Sequence, residues 1–258
     1  MIKYSEGNGI VRINGIHYRD EKKKDIPIPK LAIGVFSRYL FNDIIEKFQA
    51  LEIGYISCAN YESNIYIVRY NDVEFVLFMA HVSSCRISDD IEQLRVSGVK
   101  TFIVYGNCGV LDKNIEDCSI IIPTLGYREE GTGFHYVPES ETIEMNPKYQ
   151  NLFIKLLEEK GFNYTLGYTW TTDAPYRETR EKINYFKEKG CICVEMEGTC
   201  IAAVCKYYNL DYFTFYYAGD NLDSVEWEER SISGLANIDI KKEVTYLALD
   251  LAVSILKK

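Results

Sequence analysis

Short apolar runs alternate along this chain with stretches of helical period, and that alternation admits few folds. IPKLAIGVF (28–36) is a continuous apolar run of strand length, and SRYLFNDIIEKFQALE behind it repeats apolar residues at helical spacing. CSIIIPTLG (118–126) precedes the helical NPKYQNLFIKLLEEKG (146–161), and CICVEM (191–196) runs into a helix of small residues, GTCIAAVCKYY. The aromatic strand DYFTFYYAGDN (211–221) precedes a long closing helix, IKKEVTYLALDLAVSILKK. IYIVRYN and VEFVLFMA read as a hairpin turned at Asn71-Asp72. KTFIVYGNCGVLD and NYTLGYTWTT (163–172) add further strands, and EEGTGFHYVPES (129–140) reads as an exposed loop. SDDIEQLRVSG (88–98) predicts a helix capped by Ser88 and stopped at Gly98. Interleaved strands and helices predict an α/β fold with a central mixed twisted sheet flanked by helices. No repeat or linker interrupts the 258 residues, so one domain over 1–258 is expected.

Charge narrows the partners. With 38 acidic against 29 basic side chains the net charge is −9, which argues against a nucleic-acid backbone as ligand. No apolar run approaches the roughly 20 residues that span a bilayer, and the N-terminal MIKYSEGNGIVRI lacks the apolar segment of a secretory signal. The eight cysteines include no CxxC pair and only three histidines accompany them, so neither a metal site nor a cofactor is expected. Reduced thiols in a cytoplasmic protein are the expectation.

Four strand ends carry glycine or acid: AIGVFSR, VYGNCG, CVEMEG and YYAGDN. Ligands of open α/β sheets bind beyond the carboxyl ends of strands, so these ends predict a shared site. Within CVEMEG, Glu195 and Glu197 stand where an apolar strand turns into an apolar helix. Carboxylates there must be paired or used. A structural ion pair and a ligand contact both satisfy that requirement.

In order and spacing, these segments resemble the nucleoside phosphorylase family, whose members include hexameric purine and uridine phosphorylases. VEMEGTCIAAV carries the resemblance most specifically. It implies that Glu197, with Glu195 beside it, binds the ribose hydroxyls while Met196 packs on the sugar. Asp220 in YYAGDN then protonates N7 of a departing purine, assisted by Arg230. Gly34 and Arg38 of GVFSR match the phosphate loop, and His17 matches a histidine lent to a neighbouring subunit's ribose site. A homo-oligomer with shared sites, dimer or trimer of dimers, is thereby implied. TTDAPYRE aligns with the base-recognition segment, offering Thr172, Pro175, Tyr176 and Arg177.

The resemblance breaks on the phosphate side. Val104 stands where phosphorolytic relatives carry an arginine, Asn107 replaces a hydroxyl residue that touches phosphate and ribose, and SCANYE lacks a further arginine. Arg86 in HVSSCR is the expected replacement cation. The implied reaction is phosphorolysis of a nucleoside, with nucleoside and inorganic phosphate as partners and a purine as base. The alternatives are a nucleosidase using water, a uridine phosphorylase, and a non-catalytic nucleoside-binding module.

Overall fold

The run 28–36 forms β1 (Leu31–Val35), and all five of its residues are buried. Successive strand residues face opposite ways: Leu31, Ile33 and Val35 enter one apolar cluster and Ala32 the other. β1 is therefore covered on both faces, as a central parallel strand requires. The structure, a computed structural model, describes residues 2, 4–7, 9–233 and 235–257.

Ser37 caps α1 (Arg38–Phe48) by accepting the Leu40 N–H at 3.4 Å, and Leu40, Phe41 and Ile44 form its buried face. The helix stops earlier than its apolar pattern suggested. Gln49 takes a left-handed conformation (φ 48°), and the chain then enters β2 (Leu51–Cys58), which the sequence reading assigned in part to the helix. β3 (Tyr61–Tyr70) and β4 (Val73–Met79) form the expected hairpin, with positive φ at both Asn71 and Asp72. α2 (Ser84–Val96) begins before Ser88, whose hydroxyl is buried and donates to the Cys85 carbonyl instead of capping.

The remaining elements are β5 (Thr101–Val110), β6 (Ile120–Glu129), β7 (Thr142–Glu144), α3 (Gln150–Lys160), β8 (Tyr164–Thr172), α4 (Arg180–Glu188), β9 (Cys191–Glu195), α5 (Gly198–Tyr207), β10 (Asp211–Asn221) and α6 (Ile238–Leu256). Segment 129–140 departs from the exposed loop expected of it: Glu130, Gly133 and Val137 are buried, and Glu130 accepts the Gly133 N–H at 2.7 Å.

All ten strands belong to one mixed sheet. β1 pairs in parallel with β4 and β5, and β5 also pairs in parallel with β10. The end of β5, Gly109–Val110, meets β9 antiparallel, while β10–β6, β6–β8 and β8–β9 complete a closed ring. One cluster packs α2 and α5 on one sheet face; the other packs α1, α3 and α6 opposite. Closure of the ring gathers the ends of β5, β8, β9 and β10 around one point. Among the described residues no helix is long and apolar enough to cross a membrane. All eight cysteines are free thiols, six of them buried.

Candidate active site

β9 ends at Glu195 and α5 begins at Gly198, so two residues make the turn between them. The Glu195 carboxyl fills that turn from inside. One oxygen accepts from the Thr169 and Thr171 hydroxyls at 3.2 and 2.5 Å, the other from the N–H groups of Glu197 and Gly198 at 2.8 and 2.5 Å. Burial raises its pKa, and these hydrogen bonds oppose the rise. A Cβ on Gly198 would lie 2.3 Å from the Tyr216 hydroxyl oxygen, which explains the glycine. Glu195 was expected to bind ribose, but its oxygens are already engaged, and its work is to fix the turn that presents Glu197.

Glu197 is buried, and its Oε1 accepts the Ser83 N–H at 2.6 Å. Ser83 adopts φ 94° to present that group, a conformation costly for a residue other than glycine. Its neighbour Ser84 donates to the Met196 carbonyl at 2.7 Å. The HVSSCR turn thus braces the Met196–Glu197 segment. Arg86 does not serve as the replacement cation expected of it: its guanidinium lies 3.4 Å from Asp89 and over the Tyr61 ring, outside the cavity walls. Burial first, and then the charge of Glu195, push Glu197 up to about 8.

Asp220, 7% exposed, lies next to last in β10, within a buried run that continues through Asn221. Its pKa is raised by burial, and the Trp227 indole opposes the rise by donating to Oδ2 at 2.6 Å. An indole N–H can only donate, so in the neutral acid the proton resides on the other oxygen, Oδ1. Arg230, expected to assist here, donates to the Ile115 carbonyl at 2.8 Å and lies 3.7 Å from Glu228, and its charge acts on the Asp220 carboxyl without a direct hydrogen bond, lowering its pKa. Trp227 is the residue that touches Asp220. Glu178, also missed in the sequence, faces the same space, and burial and the Asp220 charge push it up to about 7.

Asn107, Met196, Glu197 and Asp220 converge on a cavity of about 190 Å³, closed by Phe36 and Val82. Its described walls hold Glu178, Glu195, Glu197 and Asp220 and no lysine or arginine. Asn107 lies close to the Ile232 carbonyl, its Nδ2 donating at 3.4 Å. Gly34 sits inside β1, where the Phe78 ring would stand 2.6 Å from a Cβ. Close packing by β4 accounts for that glycine, in place of the anion approach expected. Arg38 lines a separate depression with Tyr61 and Glu62. His17 pairs with Tyr55 across the edge of β2, stacks on its ring, and lies outside this cavity.

A second chamber of about 910 Å³ shares Pro175, Glu178, Asp220 and Ile232 with the first. Tyr176 lines it, whereas Arg177 is exposed outside the walls of both chambers. Thr172 is buried in β8, donating to Glu129 at 3.3 Å, and does not reach the base side. Among the described residues no cluster of three or more histidine, cysteine or carboxylate side chains could hold a metal ion.

The sequence and the fold have counterparts among known proteins. The chain is similar to a guanosine phosphorylase of Halorubrum lacusprofundi, 25% identical over 149 residues, which are 57% of this chain and 61% of that relative. It thus spans less than two thirds of that relative's length. A DeoD-type purine nucleoside phosphorylase of Bacillus cereus is 23% identical over 171 residues, 63% of this chain and 68% of the other. Two solved structures share the fold. A purine nucleoside phosphorylase from Toxoplasma gondii superposes with TM-score 0.74 at 16% identity, covering 93% of this chain and 96% of that one. An AMP nucleosidase from Bacteroides thetaiotaomicron gives TM-score 0.71 at 15% identity, covering 89% and 90%. The family model described as the phosphorylase superfamily matches residues 30–256, and with that match across nearly the whole length the chain belongs to this superfamily.

Proposed function

We propose that this protein cleaves the N-glycosidic bond of a purine nucleoside. The observation that supports it most is the convergence on one cavity of Glu197, from the turn after β9, and Asp220, from the end of β10. Glu197, held through one oxygen by Ser83, offers the other to the 2′- and 3′-hydroxyls of ribose. Burial favours its neutral form, and the oxocarbenium charge that develops as the bond breaks draws it toward the carboxylate, which in turn stabilises that charge. The C1′–N9 electron pair leaves with the base, and the Asp220 Oδ1 proton moves to N7, so the purine departs neutral. The incoming water bonds to C1′ through its oxygen and gives up a proton to solvent, from which the Asp220 carboxylate is reprotonated for the next turnover. A pyrimidine offers no N7 to this acid, and a uridine phosphorylase fits less well.

Water fits the nucleophile's place better than phosphate. Among the described residues four carboxyl side chains and no cation line the sugar cavity, and both arginines expected to hold phosphate lie outside it. Each charge-assisted contact contributes about 1.5–3 kcal/mol, so a phosphate dianion would have to enter without the contacts that make its binding favourable. The phosphorylase names of the curated relatives favour the second reading, phosphorolysis to ribose 1-phosphate. That reading requires a cation from outside the cavity, supplied by Arg38 after a rearrangement or by a neighbouring subunit. A ribose role for His17 likewise requires a second copy of the chain, whose site it would complete.

The test is incubation with inosine, adenosine and uridine, with and without phosphate, and identification of the sugar by NMR. Free ribose from the purine nucleosides, independent of phosphate, is expected. Ribose 1-phosphate formed only with phosphate would establish the second reading. Nucleoside binding without turnover in either condition would reduce the protein to a binding module.

A further inference from the structure

We propose that the base side of this site is a subsite for a large apolar substituent at position 6 of the purine, making a 6-substituted purine nucleoside the preferred substrate. This inference rests on the nucleoside reading above and adds the class of base. The chamber beyond Asp220 measures about 910 Å³ against about 190 Å³ on the sugar side, and the two are continuous through Pro175, Glu178, Asp220 and Ile232. Its size lies in the range of pockets that enclose entire drug-sized ligands, well beyond what an unsubstituted purine fills. With N7 on Asp220, the neighbouring exocyclic group at position 6 points onward into that chamber.

The walls combine apolar side chains with a charged rim of Glu178, Arg180, Asp220 and Glu229. Ile183 and Leu222 line the interior, and Tyr176, Val225 and Trp227 flank the mouth with exposures of 99%, 98% and 59%. Three large apolar side chains left in water around one opening mark a binding surface. The segment that carries Leu222, Val225 and Trp227 is fastened at several points. Arg180 donates to the carbonyls of Leu222 and Ser224 at 2.7 and 2.6 Å, Asn221 and Glu228 form an antiparallel bridge, and the Trp227 indole is fixed on Asp220. At the junction, the Glu178 carboxyl has no hydrogen-bond or ion-pair partner among the described residues and is placed to accept the N–H of a 6-amino group. Three acids, Glu178, Asp220 and Glu229, outweigh Arg180, whose guanidinium is taken up by backbone carbonyls, so an anionic substituent is disfavoured, and Tyr176, Ile183, Leu222, Val225 and Trp227 favour an apolar one.

The experiment compares kcat/KM for N6-benzyladenosine and adenosine under identical nucleophile conditions. A preference of about tenfold or more for the benzyl compound is expected from burial of the ring. Val225→Asp at the mouth should reduce that preference, with adenosine as internal reference. Equal or better turnover of adenosine by the unaltered protein would overturn the subsite. If neither nucleoside is cleaved, the catalytic reading fails separately, and calorimetry with the free bases decides the subsite. Binding of N6-benzyladenine about tenfold tighter than adenine upholds it, and equal affinity overturns it.

Discussion

At Glu195 each carboxyl oxygen is held by two donors, whereas across the same cavity, among the described residues, Glu178 has no hydrogen-bond partner and Asp220 is held by one indole N–H. The sugar side is assembled in advance: Glu195 fixes the turn, the Ser83–Ser84 pair clamps it from α2, and Glu197 is left with one oxygen to offer. Such preorganisation suits a group that must stabilise charge without moving. Burial raises the carboxyls of both sides, Glu197 to about 8 as well as Asp220 and Glu178, but on the base side few donors stand by to hold the ionised form. That suits a group that must give up a proton. The contrast separates a positioning half from a proton-transferring half.

Asp220→Asn tests the second half most severely. Loss of the proton donor should lower kcat for 6-oxopurine nucleosides by about 10²–10⁴-fold, with little change in ligand affinity by calorimetry. Unchanged turnover would remove the acid role. Glu197→Gln, on the other side, should cost about 10²–10³-fold in kcat. It should cost far less with 2′,3′-dideoxynucleosides, which lack the diol. A smaller effect, about tenfold, is expected for Trp227→Phe. The indole hydrogen bond lowers the Asp220 pKa, so its removal should shift the basic limb of the kcat–pH profile upward. A downward shift would contradict the assigned geometry.

The halves should also differ in how stability responds to pH. Glu197 rises from 4.5 in its ordinary state to about 8 in the fold. Its protonated form is therefore favoured by folding, and this contribution is complete below about 4.5 and lost as pH rises through about 8. Thermal denaturation should show a Tm that falls between pH 5 and 8, and Glu197→Gln should flatten part of that fall. A mutant curve parallel to the parent's would mean that the carboxyl is already ionised in the fold. The smallest effect is reserved for Arg38→Ala. With water as nucleophile, it should change kcat/KM by less than about twofold, a contact exposed to solvent being worth little.

Periodicity made much of the fold legible. β1 with α1, the hairpin turned at Asn71-Asp72, and the β9–α5 junction all declare themselves in apolar spacing and turn chemistry. Edge strand β2 did not, because Gln49 breaks the helix by a backbone conformation that glutamine does not advertise. The site divides along the same line. Glu197 and Asp220 end apolar runs, so burial of charge is visible in the sequence itself. Glu178 and Trp227 lie in irregular segments: Trp227 reaches Asp220 through a local turn closed by the Asn221–Glu228 bridge, and Glu178 follows β8, which the ring of strands brings to the same site. Gly34 misled for a related reason: the ring that occupies its missing side chain belongs to Phe78, on a neighbouring strand 44 residues away.

The most direct measurement is a crystal structure with a purine C-nucleoside, whose carbon–carbon link resists cleavage. The ribose 2′- and 3′-hydroxyls should lie within hydrogen-bond distance of the Glu197 Oε2 atom and N7 within reach of Asp220 Oδ1, with position 6 directed toward Trp227 and Val225. A sugar bound away from Glu197, or a base turned with N7 away from Asp220, would contradict the division of labour between the two acids.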